Sequence, residues 1–281
     1  MRPLSVDELE PVELSPAVEG PQHLYLRNRI HEERGRILRG EGEEAAGEFV
    51  GVFSRDGFAL LAWFDRGGAI VLSDGPREAG AALKRLALDA WRGFRVVIGA
   101  REPAHGFVEA IGRRVDRPVW RSQPFYVVER GQPLGGAGPV RHAREADVDW
   151  LVEASLRLNH EDLGVDPDRI DRPRLRDRIR ERTEAGRVWL LEQDGRAVAK
   201  LDVGCIGPAG ALIEGVFTEP SHRGHGLASG LVAAVLRELL AEVTRVGLHV
   251  GRANAPAIKA YEQAGMHEVA DLWLARFDWP R

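Results

Sequence analysis

One stretch, residues 216–228, constrains the fold of this chain more than any other. The apolar run Ala211–Phe217 is typical of a β-strand, and Pro220, which cannot donate a backbone hydrogen bond to a neighbouring strand, ends it. The turn Gly224–Gly226 follows, and a helical pattern starts near Leu227. A strand, a glycine-containing turn and a helix N-terminus in this order indicate part of an α/β sheet.

The same stretch has the features of an anion-binding site. Backbone N–H groups point into such a turn, and the helix dipole adds partial positive charge. Glycine lets a ligand approach the backbone closely, and Arg223 would add a fixed positive charge. An ordinary strand-to-helix turn is the simpler interpretation. The spacing also differs from two well-known phosphate loops, because Ser229 stands where a third glycine would be.

The composition bounds the class of protein. The 281 residues are 44% hydrophobic and 29% charged, which is typical of a globular protein that dissolves in water. A net charge of -4 gives no sign of a general nucleic-acid binder, which would usually be basic. No apolar run approaches the roughly 20 residues of a membrane span, and the acidic start has no apolar signal region. We therefore expect a cytoplasmic protein with neither nucleic acid nor membrane as a partner.

The metal-binding and redox residue types are sparse. The single cysteine, Cys205, excludes an intramolecular disulfide and a cysteine-based metal cluster, and it is expected to be a small buried residue of a strand. His222 and His225 flank the glycine turn, where they are expected to face solvent or phosphate. Their spacing does not indicate a metal site.

Glycine and proline also divide the chain. The segment Arg130–Gly138 contains four glycines and one proline, which predicts a linker. We place a first domain at residues 1–130, a linker at 131–138 and a second domain at 139–281. Residues 1–20 are expected to be a loosely attached lead-in. Both halves contain three strands, a helix, a strand, a helix and a strand in that order, which is a weak internal repeat.

The two halves differ at the turn after the third strand. In the first half this turn contains Pro76, which removes one N–H, and Asp74 and Glu78, which would repel an anion. If both halves share a fold, only the second half keeps a phosphate site. The second half adds a strand and two helices before its repeat, and the first of these helices is predicted to break at Asn159–Gly164.

Residues 139–281 resemble the GNAT acetyltransferase superfamily. The resemblance rests on the element order, on the turn Arg223–Gly226, and on Asn254–Met266, which looks like the family's asparagine–helix–tyrosine segment with methionine in place of phenylalanine. It implies an α/β (α+β) fold with a mixed central sheet of GNAT type. The whole chain is similar, more loosely, to two-domain bacterial members whose first domain is a smaller or degenerate GNAT-like α/β domain.

The resemblance implies acetyl-CoA as co-substrate. Its pyrophosphate would lie on the N–H groups of the glycine turn, and its pantetheine would pair with the strand backbone where the fourth and fifth strands splay apart. The family's turn begins with Gln or Arg where this chain has Ser221, which predicts lower cofactor affinity. The residues so implied to bind the cofactor are Val216, Phe217, Thr218, Arg223, Gly224, His225, Gly226, Leu227, Ala228 and Asn254.

Three residues are candidates for catalysis by the same resemblance. Tyr261 stands where the family often places the tyrosine that donates a proton to sulfur, although it can instead be a helix residue that packs on the cofactor. Glu214, with apolar neighbours, would have a raised pKa and be the better base, or it is a charge on the solvent side of a strand. His249 is the other candidate base, or a structural histidine.

The implied reaction is transfer of an acetyl group to a primary amine in a ternary complex. The acceptor would be a small molecule or a peptide, and His160, Glu161 and Asp162 would form an acidic wall for it, unless they are a solvated loop. The first domain would shape the acceptor side or a homodimer. A non-catalytic acyl-CoA-binding sensor and an acyltransferase for longer chains are the alternatives.

Overall fold

The fold comes from a computed structural model, in which residues 1–38, 46–89, 93–112 and 118–277 are described. The chain forms two compact units. The first contains Met1–Phe125 together with Val269–Arg281, and the second contains Tyr126–Glu268. The last residues of the chain are thus grouped with the first unit, whereas the sequence placed them with the second domain.

The described regions contain strands and helices in alternating groups. The strands are β1 (Arg2–Pro3), β2 (Gly47–Ser54), β3 (Gly57–Asp65), β4 (Ala69–Leu72), β5 (Val96–Gly99), β6 (Val119–Glu129), β7 (Arg141–His142), β8 (Val188–Gln193), β9 (Arg196–Gly207), β10 (Gly210–Thr218), β11 (Arg245–His249) and β12 (His267–Arg276). The helices are α1 (Val6–Glu13), α2 (Leu24–Leu38), α3 (Arg77–Ala82), α4 (Lys84–Asp89), α5 (Arg101–Ile111), α6 (Val148–Leu163), α7 (Arg172–Glu184), α8 (Leu227–Glu242) and α9 (Ala255–Ala264).

The first unit has a mixed sheet in the order β1-β2-β3-β4-β5-β12. β4 and β5 are parallel, and the other neighbours are antiparallel. Helices α3 and α5 pack tightly, because a Cβ atom on Gly80 would lie 1.9 Å from the carbonyl oxygen of Pro103. A Cβ atom on Gly106 would lie equally close, 1.9 Å, to the carbonyl oxygen of Arg77. Only glycine fits at either contact.

In the second unit the strand order is β6-β11-β10-β9-β8-β7, and the boundary between the two units falls within β6. β10 and β11 are parallel, whereas the neighbouring pairs β7–β8, β8–β9 and β9–β10 are antiparallel. This arrangement, with helices on both faces, is the mixed α/β sheet that the sequence predicted. None of the described helices is both long and apolar enough to cross a membrane.

Alternate side chains of the strands pack against helices on opposite faces of this sheet. In β8, Val188 and Leu190 pack with α6 and α7, whereas Trp189 and Leu191 pack with α8 and α9. Successive side chains of a strand point to opposite faces, so this period of two creates two separate cores. Helices α6 and α7 therefore cover one face, and α8 and α9 cover the other.

Two predictions about local structure were wrong. Helix α6 does not break at Asn159 but continues to Leu163, and it ends at Gly164, whose φ of +63° is the left-handed conformation that closes many helices. Residues 1–20 are not loosely attached, because Leu9, Val12 and Val18 are buried in a core with β2 and β3. In both cases side chains pack against partners distant in the sequence.

Candidate functional site

The centre of the second sheet contains a gap between two parallel strands. β10 pairs with β11 from Ala211 to Ile213 only, opposite Val246 to Leu248. β10 nevertheless continues to Thr218. The edge of its last residues is thus outside the pairing with β11, and it presents backbone N–H and C=O groups that a ligand can bind.

A β-bulge at Gly215 causes this separation. The register of β10 with β9 shifts between Glu214, opposite Asp202, and Phe217, opposite Lys200, so β10 holds one extra residue. Gly215 has a φ of +61°, and a Cβ atom there would lie 2.5 Å from the Asp202 carboxylate and 2.9 Å from the Lys200 ammonium. Glycine is therefore required at position 215 for two reasons: its φ is positive, and there is no space for a Cβ atom.

The glycine turn lies directly after β10. A short 3₁₀ turn, Pro220–His222, leads into it, and Gly224 and Gly226 both have positive φ angles, +82° and +74°. Nothing lies within 4 Å of a Cβ atom built on Gly224, so the backbone is open to a ligand. Helix α8 then begins at Leu227, and its first turn has N–H groups without intrahelical acceptors. Ala228 belongs to the same turn. These residues have the features of an anion cradle.

Arg223 connects this turn to helix α6. Its Nε donates to the carbonyl oxygen of Thr218 at 2.9 Å, and its Nη2 donates to Glu161 Oε2 at 2.7 Å. The guanidinium also lies over the ring of Phe217, 5.7 Å from the centroid. Glu161, expected in an acceptor wall, therefore pairs with the residue expected to bind phosphate.

Tyr261 on α9 interacts electrostatically with Asp162 on α6, although the two helices lie on opposite faces of the sheet. Burial, followed by the negative charge of Asp162, raises the pKa of the Tyr261 hydroxyl. His160, the remaining residue of the expected wall, is exposed, and its Nδ1 lies 3.2 Å from the carbonyl oxygen of Val165.

Asn254 begins helix α9, on which Tyr261 lies. Its Oδ1 accepts a hydrogen bond from the backbone N–H of Ala257 at 3.2 Å, which is the usual role of an asparagine N-cap. Gly265 ends the same helix with a φ of +106°. These two caps fix the length of α9 and so the position of Tyr261 on it.

The two candidate bases differ from expectation. The carboxylate of Glu214 does not have apolar surroundings, because its Oε1 lies 2.7 Å from Arg182 Nη1 and the side chain is 41% exposed. Strand alternation turns it towards α7 and away from the apolar core under α8. His249 follows the last paired residue of β11, and burial lowers the pKa of its imidazole to about 4. It is therefore neutral at pH 7 and a weak base.

The sequence interpretation missed a cluster of charges beside the bulge. Lys200 is 1% exposed, and its Nζ lies 2.7 Å from Asp202 Oδ2. Arg182 Nη1 reaches the same carboxylate oxygen at 3.8 Å. A lysine within the apolar run of β9, in a chain with only three lysines, and a glycine within β10 were the available signals.

The residues before the glycine turn line a cavity on the α6 side. Ser221 and His222 are joined at 2.9 Å between Oγ and Nδ1, and His225 Nδ1 lies 3.4 Å from the carbonyl oxygen of His222. The cavity measures ≈ 400 Å³, and Trp150 and Glu219 also line it. Among the residues whose positions are described, no group of three or more metal-ligating side chains occurs.

Comparisons with known proteins agree with this geometry. Residues 149–266 match the family model "Acetyltransferase (GNAT) family", and the matched region contains the gap, the bulge and the glycine turn. The second unit thus contains a domain of the GNAT acetyltransferase family. A search of the curated proteins returned no match.

Solved structures extend the fold similarity over the whole chain. A GCN5-related N-acetyltransferase from Sphaerobacter thermophilus is 19% identical, with a TM-score of 0.62 over 99% of this chain and 95% of that one. A Drosophila protein is 14% identical, with a TM-score of 0.68 over 98% and 97%. A tandem GNAT protein from the clavulanic acid biosynthesis pathway is 16% identical, with a TM-score of 0.51 over 100% and 98%. At these identities the similarity concerns the fold alone.

Proposed function

We propose that this protein is an N-acetyltransferase that moves an acetyl group from acetyl-CoA to a primary amine by direct transfer in a ternary complex. One observation carries the proposal. The bulge at Gly215 separates β10 from β11 directly before the open glycine turn of α8. A thioester bound along this edge would have its phosphates at the turn and its reactive end in the gap.

The residues around the gap suit coenzyme A. Backbone groups of Val216 and Thr218 would pair with the amide groups of the pantetheine. The N–H groups of residues 224–228 would hold the pyrophosphate, since that of Arg223 donates to the carbonyl oxygen of Pro220, and Asn254 would lie close to the cofactor chain. Arg223 would fix the turn through Thr218 and Glu161, and it would attract phosphate as a nearby positive charge.

The transfer forms a bond from the amine nitrogen to the carbonyl carbon and breaks the bond from that carbon to sulfur. N–H groups on the free edge of β10 would stabilise the negative charge that develops on the carbonyl oxygen. Glu214, beside the bulge, would take the proton that the amine loses, directly or through water. Tyr261 would then donate a hydrogen bond to the departing sulfur.

The raised pKa of Tyr261 defines that role. The hydroxyl stays protonated at all physiological pH values, and so it is always available as a donor. A thiol has a pKa of about 8.5, below that of the buried phenol, so the hydrogen bond stabilises the thiolate without complete proton transfer. The thiolate would then take its proton from water.

Replacing Tyr261 by phenylalanine tests this chemistry. Thiol release from acetyl-CoA is measured over a panel of primary amines. We expect Tyr261→Phe to lower kcat about 100-fold, because the donor is lost, while the KM for acetyl-CoA changes little. Tyr126→Phe is the matched control, since Tyr126 is also a buried tyrosine of this unit and its hydroxyl bonds to Glu262. An unchanged rate for Tyr261→Phe at every pH would remove the donor role.

A non-catalytic acyl-CoA-binding sensor is the second candidate. It is favoured by the ion pair of Glu214 with Arg182 and by the low pKa of His249, which leave only weak bases near the gap. Calorimetry with acetyl-CoA separates the two candidates. Tight binding together with no thiol release from any amine would establish the sensor and reject the enzyme.

A further inference from the structure

Five charged side chains from three elements of the second unit interact with one another near the bulge. α7 contributes Arg178 and Arg182, β9 contributes Lys200 and Asp202, and β10 contributes Glu214. The electrostatic neighbours of Arg178 include Arg182, Glu214, Arg174 and Asp202, so it belongs to the same group of charges.

The charges in this cluster do not balance. Asp202 Oδ2 forms an ion pair with Lys200 Nζ at 2.7 Å, and Glu214 Oε1 forms one with Arg182 Nη1 at 2.7 Å. The cluster thus contains three cations but two carboxylates. Both carboxylates form their shortest ion pairs with Lys200 and Arg182, and neither forms one with Arg178. Within the described parts of the chain, no carboxylate lies within 4.0 Å of its guanidinium nitrogens. A neighbouring Arg174 adds more positive charge.

The position of Arg178 favours an anionic ligand. It lies one helical turn from Arg182, about 6 Å along the helix, and therefore on the same face of α7 as the residue that binds Glu214. Its side chain is open to solvent. Burial of part of the guanidinium, followed by the positive charge of Arg182, lowers the pKa of Arg178.

We propose that Arg178 binds an anionic group of the amine acceptor, a carboxylate or a phosphate, while the amine of the same molecule lies towards Glu214. The inference rests on the proposed function and names its substrate class. A planar guanidinium matches both groups with two parallel hydrogen bonds. Arg178 would then recognise the anionic end of a zwitterionic amine, and Glu214 would recognise its ammonium end.

Paired amines that differ only in the anionic group test the proposal. Suitable pairs are ornithine and putrescine, tyrosine and tyramine, and phosphoethanolamine and ethanolamine; the first two pairs report on carboxylate and the third on phosphate. Thiol release is measured with the wild type, Arg178→Ala, Arg178→Lys and Arg180→Ala. Arg180 is the matched control, because it lies on the same helix and pairs with Glu145 and Asp177.

We expect the wild type to have the higher kcat/KM for the anionic member of at least one pair. Arg178→Ala should raise the KM for that member about 10- to 100-fold and leave the neutral member unchanged, because a charge-assisted hydrogen bond is lost. Arg178→Lys should lie between, and Arg180→Ala should match the wild type. Equal kcat/KM within every pair, or an equal effect of Arg178→Ala on both members, would overturn the proposal.

A binding measurement keeps this test independent of turnover. The N-acetyl derivatives of all six amines are titrated in the presence of coenzyme A, and the thermal shift is recorded. Stabilisation by an anionic derivative that disappears in Arg178→Ala supports the site even if no amine releases thiol, in which case the proposed function alone fails. No stabilisation by any anionic derivative at millimolar concentration overturns the site.

Discussion

Lys200 shows how a single buried charge supports the site. Its ammonium and the Asp202 carboxylate fill the space beside Gly215, where any larger residue would collide with them. Taking a charge out of water is costly, and the partner charge compensates for that cost only while both are present. The bulge of β10 thus depends on an ion pair of the neighbouring strand.

Removal of one charge should therefore cost more than removal of both. We expect Lys200→Met to lower the free energy of unfolding by about 3 kcal/mol, because Asp202 is left buried with only the more distant Arg182. The double variant Lys200→Met/Asp202→Leu should recover most of that loss. Urea unfolding of the three proteins measures both values. A double variant less stable than Lys200→Met would contradict the explanation.

His249 makes stability depend on pH. Its pKa falls from 6.5 to about 4 on folding. Between these two values the unfolded chain binds the proton and the folded chain does not, so stability is complete above pH 6.5 and decreases as the pH falls to 4. This histidine should account for a loss of about 3 kcal/mol over that range.

The comparison that isolates this effect is His249→Gln. Its free energy of unfolding, measured by urea titration at pH 7, 6, 5 and 4, should decrease less steeply than that of the wild type. His267→Gln, at an exposed histidine, should follow the wild type. Parallel curves for His249→Gln and the wild type would show that the imidazole is not kept neutral by the fold.

The site could be predicted residue by residue only where the signal was local. Glycine and proline marked the turn at 223–226, and the pattern Asn254 to Gly265 marked a helix with its caps. The partners of Glu214 and Glu161 could not be predicted, because Arg182 and Arg223 are distant in the sequence. Helix α7 is so rich in arginine that no single one stands out.

At the scale of elements, β10 and the turn after it contain four glycines with positive φ. Gly215 and Gly224 have similar angles, +61° and +82°, but differ in the space around them. A Cβ atom on Gly215 meets Asp202 and Lys200, whereas one on Gly224 meets nothing within 4 Å. A comparison of substitutions at Gly215 and Gly224 therefore distinguishes the cost of backbone strain from the cost of a steric collision.

Alanine at these two positions should give different losses. Gly224→Ala has only the cost of the left-handed conformation, about 1 kcal/mol. Gly215→Ala adds a collision inside the sheet, and we expect a total of about 3 kcal/mol. Thermal and urea unfolding measure the two values. Equal losses would mean that the ion pair beside Gly215 moves aside freely.

The boundaries of α8 and α9 agree with the sequence because their ends are determined by nearby residues. Gly226 and Asn254 begin the two helices, and Gly265 ends the second. The end of α6 was misplaced because polar residues at 159–162 suggested a loop, whereas the helix continues to Leu163 and Glu161 on its last turn pairs with Arg223. Tertiary packing overrides local composition at such positions.

At the scale of the whole chain, the two units repeat one order of elements with different details. In the first unit β4 pairs with β5 over its full length, Ala69–Leu72 with Val96–Gly99, so no gap opens between these parallel strands. A Cβ atom on Gly99 would lie 2.5 Å from the carbonyl oxygen of Leu72. The turn before α3 contains Pro76, which has no N–H to offer an anion.

The first unit should therefore not bind acetyl-CoA, and each chain should bind one molecule. Isothermal titration calorimetry should give a stoichiometry of about one, because β10 separates from β11 whereas the corresponding strands β4 and β5 stay paired, and Pro76 removes an N–H from the corresponding turn. Gly224→Glu, which places a carboxylate in that turn, should abolish the binding heat by charge repulsion. Pro76→Glu, the corresponding change in the first unit, should leave it intact. A second binding event in the wild type, or binding that survives Gly224→Glu, would mean that the close packing of α3 against α5 and the continuous pairing of β4 with β5 do not exclude a ligand.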